Sequence, residues 1–153
     1  MLKEKVDKLV DKYLDEVISI RRHIHQNPEL SLKEFETSKF VANELRKIGL
    51  EAQEGVGKTG VVSNLNLGKG EKTLMLRADM DALPIQEETG LPFSSKNPGV
   101  MHACGHDIHT SILLGVTKVL NEIKDEINGN VKFVFQPAEE NNPVGGAPLM
   151  IKE

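Results

Sequence analysis

The segment TLMLRADMD (residues 73–81) is the stretch on which the interpretation of the fold depends. A short, mostly apolar run that follows a turn signal is typical of a buried strand. The run ends in Asp79 and Asp81, which lie one residue apart and therefore face the same side of an extended chain. Their negative charges repel each other unless a cation or Arg77 lies close to them. The segment predicts a buried strand with a charged site at its carboxyl end.

Apolar periodicity on both sides of this strand predicts the other elements. Helices are predicted over residues 2–26, 31–48 and 108–123, with a further helical turn near residue 147. Strands are predicted over residues 60–68, 73–80 and 131–136. The turn sequence GKGE at residues 68–71 predicts that the first two strands pair as a hairpin. The order of elements indicates an α/β fold in which helices pack on a mixed β-sheet.

Local signals predict where the second helix begins and ends, and where a long loop lies. Ser31 followed by Glu34 forms the capping-box pattern, and Gly49 suits the position just after a helix. Residues 84–103 contain three prolines and two glycines, which exclude regular structure. A loop of about twenty residues inside a compact domain is usually functional.

The composition is that of an ordinary globular domain. The chain has 153 residues, 27% of them charged and 39% hydrophobic, and a net charge of −4, which fits one domain. No basic stripe is present, so we expect neither a nucleic-acid nor a membrane partner. Cys104 is the only cysteine, so no intramolecular disulfide can form. Without an apolar signal core or a run of about 20 apolar residues, a cytoplasmic location is expected.

The stretch MHACGHDIHT (residues 101–110) holds three histidines, one aspartate and the only cysteine. Cys104 and His106 lie two residues apart at the start of a predicted helix, and thiolate and imidazole are favoured ligands of zinc and related metals. Two other interpretations remain open at this point. The stretch fits a loop-to-helix junction with Asp107 as the N-cap, and it also fits a Cys–His nucleophile pair, although no third orienting group is evident.

A second candidate cluster follows the last predicted strand. Glu139 and Glu140, in the segment PAEE at residues 137–140, come directly after that strand, and ligands bind at the carboxyl ends of strands in open α/β sheets. One glutamate can bind a metal while the other takes a proton from water. A pair of solvated surface glutamates is the alternative. Three clusters of this type, each at a strand end or a helix start, favour a metal site.

Three stretches of the sequence carry long motifs. They are residues 21–51 (RRHIHQNPELSLKEFETSKFVANELRKIGLE), 76–115 (LRADMDALPIQEETGLPFSSKNPGVMHACGHDIHTSILLG) and 135–151 (FQPAEENNPVGGAPLMI). They resemble the amidohydrolase branch of the zinc aminopeptidase-like metallopeptidases, which includes N-acyl-amino-acid amidohydrolases, hippurate hydrolases and plant auxin-conjugate hydrolases. The resemblance implies a mixed sheet with helices on both faces and two divalent metals (Zn, Mn, Co or Ni). It also implies hydrolysis of the amide bond of N-acyl amino acids or peptide-like substrates, and a homo-oligomer.

The resemblance assigns roles to five residues. Cys104 matches a ligand that bridges the two metals, while His106 and Glu140 match further metal ligands. Glu139 matches the general base. Asp81 matches a catalytic-site carboxylate that, in related carboxypeptidases, lies behind a metal-binding histidine.

The other acidic and histidine residues near these motifs receive weaker assignments. Asp79 occupies the position where the related carboxypeptidases have that histidine, so His106 is expected to supply the imidazole. His23 and His25 are expected to be structural parts of the first helix. His109 is placed for a hydrogen bond to the site, and His102 receives no role.

The length of the chain is a departure from the family pattern. Family members are more than twice as long, and their remaining metal-binding histidines and an inserted dimerisation domain come after the PAEE segment. Residues 1–153 are therefore expected to be the amino-terminal portion of a metallopeptidase catalytic domain, incomplete at the carboxyl end and without the inserted domain, with little or no activity alone. The alternative is a non-catalytic metal-binding or interaction module. A thiol-transfer protein is disfavoured because Cys104 has no cysteine partner.

Overall fold

The computed structural model describes residues 1–67, 70–141 and 143–153. Its helices are α1 (Leu2–Gln26), α2 (Phe35–Lys47), α3 (His106–Glu122) and α4 (Ala147–Ile151), with a 3₁₀ turn at Lys124–Glu126. Its strands are β1 (Ala52–Val56), β2 (Gly60–Leu65), β3 (Thr73–Asp79) and β4 (Asn130–Gln136). Within the described part of the chain, no helix combines the length and the apolar character that crossing a bilayer would require.

The four strands form one mixed sheet in the order β1-β2-β4-β3. β4 runs antiparallel to β2 and parallel to β3, and Val131 of β4 is paired with Leu65 on one side and Leu74 on the other. The predicted hairpin between β2 and β3 is therefore wrong, because β4 lies between them. Periodicity indicates that a segment is a strand but does not choose its partner, and β4, whose two phenylalanines are fully buried, takes a central place. Residues 68 and 69 of the predicted turn lie outside the described residues.

The second helix begins later than the capping-box pattern predicts. α2 starts at Phe35, and its N-cap residue, Glu34, makes no side-chain capping bond. The carboxylate of Glu29 instead accepts the first-turn N–H groups of Glu36 (3.2 Å) and Thr37 (2.8 Å). The Ser31 hydroxyl instead donates a hydrogen bond to Asp81 (2.6 Å), and Glu34 has no exposed surface. Both side chains are therefore engaged in tertiary contacts and not in a local cap. The predicted helix end is confirmed, since Gly49 has a left-handed φ of +80° and its N–H donates to the carbonyl of Arg46 (3.0 Å).

The first strand was not predicted from the sequence. β1 has the sequence AQEGV and shows no regular alternation of burial, with three exposed residues in its centre. It is held by antiparallel pairing with β2, which a glycine at position 55 interrupts with a register shift. A short, polar edge strand of this type has no hydrophobic period from which it can be recognised.

The hydrophobic core lies between one face of the sheet and helices α1, α2 and α3. Phe133 and Phe135 of β4 have no exposed surface, and Leu45 of α2 and Leu114 of α3 belong to the same cluster. The opposite face is much more open, as Met75 of β3 is 60% exposed.

The opposite face of the sheet is covered at one end by α4. A Cβ added to Gly60 would lie 2.8 Å from the Met150 side chain, so this helix packs directly on β2. The mixed sheet with helices on both faces is thus confirmed, with the larger layer on one side.

The two faces should respond differently to truncation. We expect Phe133→Ala to lower the free energy of unfolding by about 3–5 kcal/mol, because it leaves a cavity in the core. Met75→Ala, on the neighbouring strand but the open face, should change it by less than about 0.5 kcal/mol. Urea unfolding of both variants measures the difference, and equal losses would contradict the one-sided core.

Candidate metal centre

The sheet topology brings the predicted acidic segments together. β3 and β4 are parallel, and their last residues, Asp79 and Gln136, are register partners. The segments that follow them, which contain Asp81 on one side and the PAEE sequence on the other, therefore leave the same edge of the sheet. The first residue of α3, His106, lies against both segments, because its Nδ1 is 2.9 Å from the carbonyl oxygen of Asp81 and its Nε2 is 3.8 Å from the carboxylate of Glu139. Three clusters that are far apart in sequence thus meet at one place.

His106, Glu139 and Glu140 form the centre of this place. The Nε2 atom of His106 is 3.8 Å from a carboxylate oxygen of Glu139 and 3.9 Å from one of Glu140. One ligand atom from each of the three residues lies within 4.8 Å of the others. The imidazole is buried, whereas the side chain of Glu139 is 44% exposed, so the group opens to solvent. Imidazole and carboxylate groups are donors that fit a divalent transition metal.

Asp81 organises the backbone of both glutamates. One of its carboxylate oxygens accepts the N–H of Glu139 (3.1 Å), and the other accepts the N–H of Glu140 (3.0 Å) and the hydroxyl of Ser31. Burial by itself would raise the pKa of Asp81, but the hydrogen bonds from His106, Ser31 and the two backbone amides bring that pKa below its ordinary value. Asp81 is therefore an anion that holds the loop and the imidazole from behind.

The orientation of His106 follows from its contacts with Asp81. Its Nδ1 faces the backbone carbonyl of Asp81 at 2.9 Å and the carboxylate at 3.3 Å, so Nδ1–H donates and Nε2 is left facing the glutamates. Burial lowers the pKa of His106, but hydrogen bonding and charge from Asp81 outweigh it and raise that pKa to about 9. In the metal-free chain the imidazole therefore carries a proton at neutral pH.

Cys104 lies at the rim of the group. Its thiol is exposed, and hydrogen bonding with Glu140, together with burial and nearby carboxylates, raises the pKa of Cys104. Among the described residues, the sets whose ligand atoms all lie within 4.8 Å of one another include His106 and Glu140 but not Cys104. Its role as a bridging ligand therefore stays a prediction, as do the roles of the other four assigned residues.

Asp79 and His109 form a second group on the other side of His106. Ligand atoms of these three residues also lie within 4.8 Å of one another, and Nδ1 of His109 is 3.9 Å from Asp79. The guanidinium of Arg77 donates a hydrogen bond to Asp79. Burial raises the pKa of Asp79, and the charge of Arg77 opposes this effect. Arg77 thus offsets the repulsion between the two aspartates that the sequence indicates.

Asp107 is not the N-cap of α3. The N-cap is Gly105, which has a left-handed φ of +82°, and Asp107 is fully buried within the first turn. Its carboxylate accepts hydrogen bonds from Nε of Arg21 (2.7 Å) and from Nδ1 of His25 (2.8 Å), both on α1. This contact ties the start of α3, and with it His106, to the first helix. The i, i+4 spacing of an arginine and a histidine on α1 is the only sequence signal for it.

His102 is buried beneath the same turn. Within residues 1–67, 70–141 and 143–153, neither of its ring nitrogens has a hydrogen-bond partner, and the same holds for one carboxylate oxygen of Asp107. Burial lowers the pKa of His102 to about 4, so this imidazole is neutral at physiological pH.

Comparison with known proteins finds relatives that match almost the whole of this chain. Thermostable carboxypeptidase 2 of Saccharolobus solfataricus is 53% identical over 152 residues, which cover 99% of this chain and 39% of that protein. The N-acyl-L-amino acid amidohydrolase of Geobacillus stearothermophilus is 47% identical over 152 residues, which cover 99% of this chain and 41% of that protein. The chain thus spans about two fifths of the length of these relatives.

A solved structure and a family model both point to one peptidase family. The Bacillus subtilis YXEP protein, described as a dinuclear metal binding peptidase from the M20 family, superimposes with a TM-score of 0.86 at 41% identity, covering 93% of this chain and 39% of that one. Residues 75–153 match the model of peptidase family M20/M25/M40. The predicted resemblance to the metallopeptidases is confirmed, and the chain belongs to peptidase family M20/M25/M40.

Proposed function

We propose that the chain forms part of the active site of a metal-dependent amidohydrolase that cleaves the amide bond of N-acyl amino acids. The observation that carries the proposal is the position of His106, whose Nε2 faces the carboxylates of Glu139 and Glu140 at 3.8 and 3.9 Å. The named activity of the amidohydrolase relative supports the substrate class. The dinuclear site of the solved relative supports the requirement for metal.

His106, Glu140 and Cys104 are the residues that would hold the metal. A bound divalent cation would polarise the acyl carbonyl and increase the acidity of water. A mixed imidazole, carboxylate and thiolate donor set accommodates zinc, manganese, cobalt or nickel. The choice among these metals, and the occupancy of two positions, belong to the proposal.

Glu139 is proposed as the general base. Its carboxylate is 44% exposed, so water and substrate can reach it. Its backbone N–H is held by Asp81. Glu139 takes a proton from the water that attacks the acyl carbon and delivers it to the amine nitrogen as the C–N bond breaks.

Residues 1–153 are proposed to be the amino-terminal portion of the catalytic domain. The chain spans 39% of the carboxypeptidase relative, and the resemblance places further ligands and an inserted dimerisation domain in the rest of such proteins. A non-catalytic metal-binding module is the second candidate, favoured by the small number of ligand atoms that the described residues place around His106. The cytoplasmic location, the homo-oligomer of the complete protein and the absence of nucleic-acid and membrane partners stay predictions.

Metal binding by the 153-residue chain tests the ligand set. Titration with Co²⁺, Zn²⁺ or Mn²⁺ in a calorimeter should give measurable but weak binding. His106→Ala and Glu140→Gln should each weaken it by about tenfold or more, since each removes a donor, whereas Glu139→Gln should leave the affinity within about threefold. Undiminished binding by His106→Ala would contradict the assignment.

Hydrolysis of N-acetyl-methionine and hippurate tests the dependence on the rest of the protein. The chain alone should show feeble turnover or none, because the family resemblance places the remaining metal ligands after the PAEE segment, outside these residues. Turnover that requires added metal and is lost in Glu139→Gln would show that this length builds a working site, and would overturn the proposed dependence.

The proton on His106 predicts how the stability of the metal-free chain depends on pH. Its pKa is about 9 in the folded chain and 6.5 ordinarily, so the proton stabilises the fold. This contribution is fully present below pH 6.5 and is lost as the pH rises towards 9. Urea unfolding between pH 6 and pH 9.5 in a chelator should show the decline. His106→Gln should flatten it and His109→Gln should not, and an equal slope in His106→Gln would contradict the assignment.

A further inference from the structure

Glu34 is a fully buried carboxylate for which the catalytic proposal has no use. It precedes α2 and has no exposed surface. One of its carboxylate oxygens accepts the hydroxyl of Thr59 (2.6 Å), and the other accepts the backbone N–H of Ala138 (2.7 Å). The side chain therefore links the start of α2, the loop before β2 and the loop after β4.

Burial makes this carboxylate costly. It raises the pKa of Glu34, and the hydrogen bonds from Thr59 and Ala138 oppose the increase. A buried charge destabilises a fold unless it is fully bonded, and apolar side chains of similar volume often serve stability as well or better. Stability therefore does not explain a glutamate at this position, and the groups that it binds indicate its role.

The loop that Glu34 contacts has an unusual backbone. Ala138 has a φ of +53°, a region that residues other than glycine seldom occupy. Its carbonyl accepts the N–H of Gly146 (2.9 Å). A Cβ on Gly146 would lie 1.8 Å from the carbonyl oxygen of Pro137, so the two ends of this loop are in direct contact. The strained residue immediately precedes Glu139.

Two buried carboxylates hold three consecutive amides of this loop. Glu34 accepts the N–H of Ala138, and Asp81 accepts those of Glu139 and Glu140. Because the direction of a side chain follows from the φ and ψ angles before and at its residue, a rotation at Ala138 would turn both glutamates away from His106. Asp81 binds the amides that follow Ala138, whereas Glu34 binds the amide of Ala138 itself, so the two carboxylates hold the backbone on both sides of this residue.

We propose that Glu34 is a positioning residue, whose hydrogen bond to the Ala138 amide fixes the left-handed backbone that holds Glu139 and Glu140 opposite His106. The inference rests on the proposed function for the roles of those two glutamates. Glu34 acts only through the loop and contacts none of the three site side chains in the hydrogen bonds of the described residues.

The chain offers a matched control on the same helix. Glu44 lies near the other end of α2, is 4% exposed and pairs with the buried ammonium of Lys118 at 3.4 Å. Glu44→Ala therefore removes a buried carboxylate of α2 whose hydrogen bonds go to Lys47 and Lys118 and not to the loop after β4. Glu34→Gln is the conservative variant, because its amide oxygen can accept the Ala138 N–H while its NH₂ donates to the Thr59 hydroxyl.

Calorimetric titration with Co²⁺ is the first measurement, with the protein concentration of each variant corrected for its folded fraction. We expect Glu34→Ala to weaken binding by about tenfold or more, the usual effect of removing a group that orients ligands. Glu44→Ala should lower the urea midpoint and leave the Co²⁺ affinity unchanged, and Glu34→Gln should stay within about threefold of the original chain. Should Glu34→Ala not fold, Glu34→Asp replaces it, because the shorter side chain cannot reach Thr59 and Ala138 together.

Amide hydrogen exchange in metal-free protein is the second measurement. The amides of Ala138, Glu139 and Glu140 should exchange at least about tenfold faster in the Glu34 variant than in Glu44→Ala at equal global stability. Equal Co²⁺ affinity or equal exchange in these two variants would overturn the inference. Failure of the unmodified chain to bind Co²⁺ would count against the proposed function instead, and exchange would then decide the inference alone.

Discussion

The carboxylate of Asp81 is the interaction on which the rest of the site depends. It follows β3, is 1% exposed, and receives hydrogen bonds from Ser31 and from the backbone of Glu139 and Glu140, while it also lies against His106. A buried charge is tolerated only where all its bonds are made. Each segment that touches Asp81 therefore constrains the others. If the loop after β4 moves, the buried carboxylate loses the two backbone hydrogen bonds that stabilise its charge.

Charge explains why these groups fit a cation. Asp79, Asp81, Glu139 and Glu140 converge on one imidazole, and Arg77 pairs with the first of them. The elevated pKa of His106 is the consequence, because a proton on the ring supplies part of the missing positive charge. A divalent ion at Nε2 would replace that proton and supply more charge. A cation at this position would thus meet the same electrostatic requirement that the proton meets in the metal-free chain.

The parallel pairing of two strands brings these charges together. Parallel pairing of β3 with β4 sends both of their carboxyl ends to one edge, and α3 begins at the same edge with its amino-terminal turn, where N–H groups favour nearby anions. Buried contacts from α1 and from the residue before α2 then hold two parts of the arrangement in place. Asp107 is held by Arg21 and His25, and the Ala138 amide by Glu34. The layer of helices is therefore also the support of the site.

The sequence alone determined the long helices, the apolar strands β3 and β4, the irregular loop and the motifs that place the chain in its family, because periodicity and motif spacing are local properties. It did not determine which strands are neighbours, nor that Ser31 and Glu34 leave the helix cap for partners 50 and 104 residues away. It likewise gave no sign that Asp107 is buried and Cys104 exposed. Those outcomes depend on which distant groups compete for each donor and acceptor once the layers pack, and only the tertiary structure decides that competition.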